Sequence, residues 1–494
     1  MDLFSSRHIH EECGVFGVYA AERRDVAQTA YYGLYALQHR GQESVGIVVN
    51  DDGVFSVKKA AGLVGDAFSK EELRTMQGQI AVGHVRYATT GSDNAHNIQP
   101  IVVNHSKGAM ALAHNGNLTN AFQLRCMLED QGAIFHSTTD SEVIAYVLVQ
   151  QRLKSKSIEQ AVCKTMDIIE GAYSLVISSP AKLIAVRDSH GFRPLCYGMT
   201  EDGDIVFASE SCALDAVQAK FVRDLLPGEI AIVENGDIRF DTTHCGTAPK
   251  SLCVFEYIYF ARPDSIIDGA SVSLARQRAG AFLAEEHPVD ADLVIGVPDS
   301  GLEAALGYAQ KSGIPYAIGF TKNKYIGRTF IAPGQTERQK GVNIKLNPIR
   351  EVVRGKRIIL VDDSIVRGTT CRRIVDSLRE AGAKEIHMRI SAPAFVAPCY
   401  YGVDIDDSNG LIANRHTVPE IAEQIGVDSL GYLSMEHVRL LTGKDTGFCT
   451  ACFGGAYPVE PAQTVKKSRF EGRISENTDG DETIAVPQRE RKNK

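Results

Sequence analysis

Leu360-Val361-Asp362-Asp363-Ser364-Ile365-Val366-Arg367-Gly368-Thr369-Thr370 decides how the second half of this chain folds. Arg357, Ile358 and Ile359 precede it and, with Leu360 and Val361, read as a short buried strand. Beyond it, Ile374, Val375, Leu378 and Ala381 recur at helical spacing. Two adjacent carboxylates therefore stand at the carboxyl end of a strand, and a turn of small residues opens a helix. Helix amino termini carry free N–H groups and the positive end of the dipole, which suits phosphate. Paired Asp side chains suit sugar hydroxyls and a hard divalent cation, which prefers oxygen ligands. The direct reading is a site for a phosphorylated sugar. The plain alternative is an acidic strand end before an ordinary capped helix.

Around this stretch, buried strands alternate with helices: Leu293 to Val297, Tyr316 to Phe320, Ile358 to Val361 and Ile386 to Ile390. That alternation predicts a parallel α/β sheet, with ligands at the carboxyl ends of its strands. Val297-Pro298-Asp299-Ser300-Gly301 is a second strand-end loop, although Pro-Asp-Ser-Gly is also good turn chemistry. Lys322 to Lys345 is rich in Lys and Arg, with Gly327, Gly334 and Gly341. It reads as a solvated basic loop or as a lid that closes on a polyanion and excludes water.

The 360–370 stretch resembles the ribose-phosphate motif of the type I phosphoribosyltransferases, which bind phosphoribosyl pyrophosphate. The resemblance implies that Asp362 and Asp363 hold the ribose hydroxyls. It implies that Ser364, Arg367, Gly368, Thr369 and Thr370 cradle the 5-phosphate, and that Asp299 and Ser300 contact the pyrophosphate. Lys345 matches a lid lysine, and one Mg²⁺ per subunit is expected near Ser300, Asp362 and Asp363.

The chain has 494 residues, enough for two to four domains. An apolar content of 44% and a charged content of 23% are ordinary for a globular protein. The net charge of −8 argues against a general nucleic-acid surface. No apolar run approaches the ~18 residues of a membrane span, and Met1 to Glu12 lacks the core of a secretory signal, so a cytoplasmic protein is expected. Eleven cysteines suit thiols, metal ligands or nucleophiles better than a disulfide framework.

In the first half, Cys13-Gly14-Val15-Phe16-Gly17-Val18 is strand-like, and a cysteine there is usually a small core hydrophobe. Four further stretches follow in order: Leu37 to Ser44, Gly83 to Gly91, Ala113 to Leu118 and Thr138 to Glu142. Together they resemble the amino-terminal nucleophile glutaminase domain of the glutamine amidotransferases, from Cys13 to about Pro227. The resemblance implies a four-layer αββα sandwich and a leader, residues 1–12, cut before Cys13. It makes Cys13 the nucleophile, Asn115 and Gly116 the oxyanion donors, and Arg86, Thr89 and Asp140 the holders of glutamine. The chemistry requires the cut. A thiol attacks as thiolate, and a free α-amino group with a pKa of roughly 7.7–8.0 is a base at neutral pH, whereas a peptide nitrogen is not. His84, His96, His105, His114 and His136 show no metal-ligand spacing and read as structural. Arg187-Asp188 through Arg193-Pro194-Leu195 matches a later motif of the same family, expected at the domain edge or facing the partner domain.

Cys449-Thr450-Ala451-Cys452 is a Cys-x-x-Cys pair, and Cys253 and Cys399 stand beside aromatic, strand-like sequence. Four thiolates suit zinc or an iron–sulfur cluster equally, and spacing does not choose. Cys126, Cys163, Cys196, Cys212, Cys245 and Cys371 read as buried or indifferent thiols.

Residues 13 to about 462 as a whole resemble the glutamine phosphoribosyl pyrophosphate amidotransferases, in the branch with a cleaved leader and a structural [4Fe–4S] cluster. That branch implies the ligands Cys253, Cys399, Cys449 and Cys452. The implied reaction opens purine synthesis: glutamine, phosphoribosyl pyrophosphate and water give 5-phosphoribosylamine, glutamate and pyrophosphate. Purine nucleotide inhibition, a homotetramer and an ammonia channel formed on lid closure are expected with it. The expected domains are 13–235 and 250–462, followed by a polar tail at 466–494 too poor in apolar residues to order itself. The rivals are a hexosamine-phosphate synthase, which would need a sugar isomerase domain, and a regulator that binds phosphoribosyl pyrophosphate without turnover.

Overall fold

The computed structural model describes residues 13–87, 95–323, 346–403, 405, 408–445 and 447–461. The leader 1–12, Thr89, Lys345 with nearly all of the basic segment before it, and the tail 466–494 lie outside the described residues.

The first half builds two antiparallel sheets. One runs in the order Lys220–Asp224, Cys196–Met199, Ile205–Ala208, Gly14–Arg24, Gly78–Arg86, Ser44–Asp51, Val54–Ala61. The other runs Asp237–Asp241, Ile230–Glu234, Leu183–Arg187, Gly171–Ser178, Gly108–Leu118, Ile101–His105. Alternation along each central strand sends residues to both faces. Val15 and Val82 of the first sheet meet Ala113, Val176 and Ala185 of the second in one apolar layer. The opposite faces are covered by helices. Val26–Ala36 packs on the first sheet, and Asp140–Lys154 with Ile158–Met166 packs on the second. This is the expected αββα sandwich. Its second sheet runs past residue 235, because Asp237–Asp241 pairs with Ile230–Glu234 through five consecutive partners. The expected first-domain limit of 235 therefore falls in the turn between two paired strands of this sheet.

The second half holds a parallel sheet in the order Leu293–Gly296, Arg357–Asp362, Glu385–Ile390, Ser429–Tyr432. Helices Val272–Glu286, Gly301–Ser312 and Thr369–Glu380 pack with it. Two expected strands differ. Tyr316 to Phe320 is not a continuous strand. Only Tyr316 bridges Val294, and Phe320–Lys322 turns away to pair antiparallel with Leu346–Pro348. A Cβ on Gly319 would lie 2.6 Å from Ile295 Cδ1, so the chain crosses that edge where only a glycine passes. Cys253 to Phe260 is strand for just Leu252–Cys253, and Glu256–Phe260 coils into a π-helical turn. Arg276 holds that turn, donating from Nε to Tyr257 O at 2.9 Å and from Nη2 to Tyr259 O at 3.1 Å and Ala261 O at 2.7 Å.

The halves meet through buried charge. Arg40, from the first half, donates to Glu210 at 2.6 Å and to both carboxylate oxygens of Glu256 at 2.8 and 2.9 Å. All three side chains have no solvent exposure. Glu256 also accepts from Arg193 at 3.4 Å. Arginine keeps its charge inside a protein, so removing Glu256 strips two buried guanidinium groups of a shared partner. Glu256→Ala is expected to lower the thermal unfolding midpoint, since breaking a buried ion pair costs about 3–5 kcal/mol. An unchanged midpoint by circular dichroism would show that Glu256 contributes nothing at this seam.

Candidate functional site

Cys13 stands immediately before the strand Gly14–Arg24, next to Val85 and Arg86 at the end of the neighbouring strand. Its thiol donates to Tyr87 O at 3.7 Å, and Arg40 Nε donates to its carbonyl at 3.0 Å. Arg86 is buried and donates to Glu43 at 3.2 Å. Asp140 lies in the first turn of its helix and accepts from Leu118 N at 2.9 Å, with His114 Nδ1 at 3.5 Å. Burial works to raise its pKa, but the His114 ring and the backbone donors outweigh burial and hold it below the ordinary value.

Asn115 and Gly116 lie on the strand Gly108–Leu118, one residue on from His114. The His114 backbone is fixed on both sides. Its N–H donates to Gln99 Oε1 at 2.7 Å, and its carbonyl accepts from Gln99 Nε2 at 3.4 Å and faces His84 Nε2 at 3.0 Å. Burial pushes His84 down to about 3, so it is neutral. Asn115 is 1% exposed, yet among the described residues its Nδ2 has no partner. An unsatisfied buried donor costs roughly 1–3 kcal/mol, so its retention points to an acceptor that arrives from outside the chain. Gly116 has φ +141, and a Cβ there would lie 2.1 Å from Ala172 O, so no other residue fits. His84 and His114 brace the backbone of the site, His84 Nε2 facing His114 O and His114 Nε2 facing Ala172 O at 3.3 Å.

In the second half, Asp362 and Asp363 emerge at the carboxyl end of the strand Arg357–Asp362, both nearly buried. Asp363 accepts from the hydroxyls of Ser300 and Ser364, and its N–H donates to Asp362 Oδ1 at 2.9 Å. The two strand-end loops therefore share one carboxylate. Burial, reinforced by Asp363, holds Asp362 well above the usual carboxylate range, and burial raises Asp363 as well. Two crowded carboxylates of this kind suit an incoming cation and hydroxyl donors, which makes Mg²⁺ a chemical fit. Gly368, at φ +78, ends the turn, and the helix Thr369–Glu380 starts directly after it. The backbone N–H groups around Thr369 and Thr370 thus have the placement of a phosphate cradle, with Arg367 on the turn. Asp299 pairs with Lys322, the last residue of the short strand Phe320–Lys322.

The four cysteines come together from three segments. Cys253 and Cys449 are register partners in a short parallel pair, and Cys452 O accepts from Val396 N and Ala397 N, just before Cys399. Cys452 is raised well above the ordinary thiol value by burial and then by Cys399, Cys253 and Cys449. Cys449 is pushed up to about 12 by burial, with Cys399 adding to it. Phe255, Phe395 and Phe453 pack against one another in the same core as these cysteines. Among the described residues no group of three or more His, Cys, Asp or Glu side chains is already arranged to hold a metal ion. Soft sulfur donors in an apolar shell fit a cluster or zinc. Cys245, the other cysteine near the start of this half, has no part in the group.

Tyr259, in the π-helical turn, has its phenol raised first by burial, then by Asp363 and Asp362, and also by Tyr87. Tyr87 carries the carbonyl that receives the Cys13 thiol.

Residues 84–216 match the glutamine amidotransferase domain family, and residues 273–428 match the phosphoribosyl transferase domain family. The chain is 52% identical to the amidophosphoribosyltransferase of Synechocystis over 93% of both proteins. The chain belongs to the amidophosphoribosyltransferase family. An amidophosphoribosyltransferase of Methanocaldococcus jannaschii is 50% identical over 91% of this chain and 98% of its own. A solved Bacillus subtilis glutamine phosphoribosylpyrophosphate amidotransferase, complexed with ADP and GMP, superposes with a TM-score of 0.85 at 45% identity, covering 91% of this chain and 98% of that one. A second solved structure, described as the allosteric regulatory enzyme of purine biosynthesis, gives the same TM-score at 46% identity. The protein is therefore a glutamine-dependent transferase of purine biosynthesis. The phosphoribosyl transferase match removes the hexosamine-phosphate synthase reading, and the glutamine amidotransferase match removes the binding-only regulator.

Sequence reasoning missed Gln99, Glu210 and Glu256, which brace the sites, whereas Arg193 belongs to the motif expected at the domain edge or facing the partner domain and donates there to Tyr401 O. Arg40 lay in a quoted stretch but carried no assigned role. Each works through a partner 15 or more residues away, which no local pattern marks. Among the described residues no helix is long and apolar enough to cross a membrane.

Proposed function

We propose that the two sites run one coupled reaction, carried above all by the buried, unpartnered Nδ2 of Asn115 beside Gly116. With the leader 1–12 removed, the α-amino group of Cys13 takes the thiol proton and the thiolate attacks the glutamine side-chain amide. Asn115 Nδ2 and the Gly116 N–H receive the oxyanion, and such preorganised donors are worth about 3–4 kcal/mol each in the transition state. The planar Arg86 fork suits the α-carboxylate, Asp140 suits the α-ammonium, and Thr89 assists. Ammonia leaves, and water clears the thioester.

In the second domain, Asp362 and Asp363 hold the ribose hydroxyls, and Ser364, Arg367, Gly368, Thr369 and Thr370 hold the 5-phosphate. Asp299, Ser300 and Lys345 address the pyrophosphate. Ser300, Asp362 and Asp363 would hold Mg²⁺, which would supply positive charge to offset that of the departing pyrophosphate. Ammonia passes from one site to the other by a path between the domains, which meet at the seam held by Arg40, Arg193 and Glu256. Cys253, Cys399, Cys449 and Cys452 would hold a structural [4Fe–4S] cluster, a cross-link between three chain segments. The B. subtilis relative with ADP and GMP supports inhibition by purine nucleotides. A cytoplasmic homotetramer completes the proposal.

Amino-terminal sequencing and iron analysis of one purified preparation test it together. Cys13 as the first residue and about four irons per chain are expected for a matured [4Fe–4S] protein. Intact Met1 with no iron would overturn both the maturation and the cluster.

A further inference from the structure

The end of the strand Gly108–Leu118 is gripped by a loop of the other domain. Asn117 Nδ2 donates to Tyr400 O at 2.8 Å. Arg193 Nη2 donates to Tyr401 O at 2.7 Å, and Arg193 is fully buried. The Phe192 and Tyr401 rings stack at 4.3 Å. Gly402 adopts φ +120, and a Cβ built on it would lie 3.4 Å from Gly116 C, 3.6 Å from Gly116 Cα and 3.0 Å from Arg193 Nη2. Gly116 is thus closed in on two sides, by Ala172 of its own sheet and by Gly402 of the second domain. The loop is anchored in turn. Tyr401 N donates to Cys399 Sγ at 3.4 Å and Tyr401 OH to Val459 O at 2.6 Å.

We infer that the Tyr400-Tyr401-Gly402 loop positions the oxyanion donors of the glutaminase site, with Asn117, Arg193 and Gly402 as positioning residues. This rests on the reading of Asn115 and Gly116 given above. An oxyanion donor contributes in proportion to its preorganisation, and a misplacement of about 1 Å can cost 10²-fold in rate. Asn115 and Gly116 lie within three residues of the strand end Leu118, where a strand held from one side would fray. The second domain supplies the missing side. Glutamine hydrolysis in the first domain therefore depends on a backbone contact from the domain that consumes the ammonia. Arg193 ties the same loop to Glu256, so the seam's ion pairs and the oxyanion strand share one residue.

The test uses the full-length enzyme carrying Asn117→Ala or Gly402→Ala, with Asn115→Ala in parallel. Glutamine hydrolysis, ammonia-supported transfer and the rate of Cys13 alkylation by iodoacetamide are measured on each. For Asn117→Ala and Gly402→Ala, kcat for glutamine is expected to fall about 10-fold or more while KM for glutamine, alkylation and ammonia-supported transfer stay within about twofold, because only the transition-state donors move. A general loosening of the fold would instead lower ammonia-supported transfer and alter KM and alkylation together, and that result would overturn the inference. So would an unchanged kcat in both variants while Asn115→Ala is impaired. If Asn115→Ala also keeps its kcat, the oxyanion reading itself fails, and the inference falls with it.

Discussion

Replacing Cys13 by alanine is expected to reduce glutamine-dependent synthesis of phosphoribosylamine by about 10³-fold or more, as removing a covalent nucleophile does. Ammonia-dependent synthesis should persist, because the paired acids and the phosphate turn lie in the other domain. Cys13 sits at the head of a strand hydrogen-bonded on both sides, to Gly78–Arg86 and to Ile205–Ala208. The substitution removes only a sulfur at the strand's free end and leaves the sheet intact. The measurement is the initial rate with each nitrogen donor at saturating phosphoribosyl pyrophosphate. A variant still able to use glutamine would remove Cys13 from the chemistry.

Asp362→Asn or Asp363→Asn is expected instead to reduce synthesis from glutamine and from ammonia alike, by about 10²-fold or more, as mispositioning of the reacting centre does. Alkylation of Cys13 by iodoacetamide should proceed at its original rate. The same substitutions carry a stability signature. Burial raises both acids, so each folded-state pKa lies above its unfolded value. Their ionised forms therefore oppose folding as pH rises past the ordinary carboxylate range, and the opposition is complete above the folded value. An amide removes that charge. The unfolding midpoint at neutral pH without added Mg²⁺ is expected to rise even as activity is lost, the trade expected of a strained active site. A variant that keeps ammonia-supported transfer would detach the paired acids from the reaction.

The elements legible in the letters were those built from local signals. The strand, acid pair, turn and helix from Arg357 to Glu380 appear where the apolar runs and Gly368 put them. Tyr316 to Phe320 was less legible because its apolar residues leave the sheet edge at Gly319 to pair with Leu346–Pro348, a partner 24 or more positions away. Cys253 to Phe260 has the composition of a strand. A buried arginine at position 276 takes its carbonyls, and the chain coils instead.

The sequence by itself determined the chemistry: a thiol at the start of a strand, paired acids at the end of another, and four cysteines outside any disulfide pattern. These depend on residue type and near neighbours, and such signals survive in one dimension. Tertiary structure alone decided what holds each group in place. The Gln99 clamp on His114, the Arg40 fork between Glu210 and Glu256, and the seat of Gly402 against Gly116 join residues from 15 to more than 280 positions apart. Each depends on burial and on a partner's distance. Those properties come into being only when the sheets pack and the two domains close on a common seam.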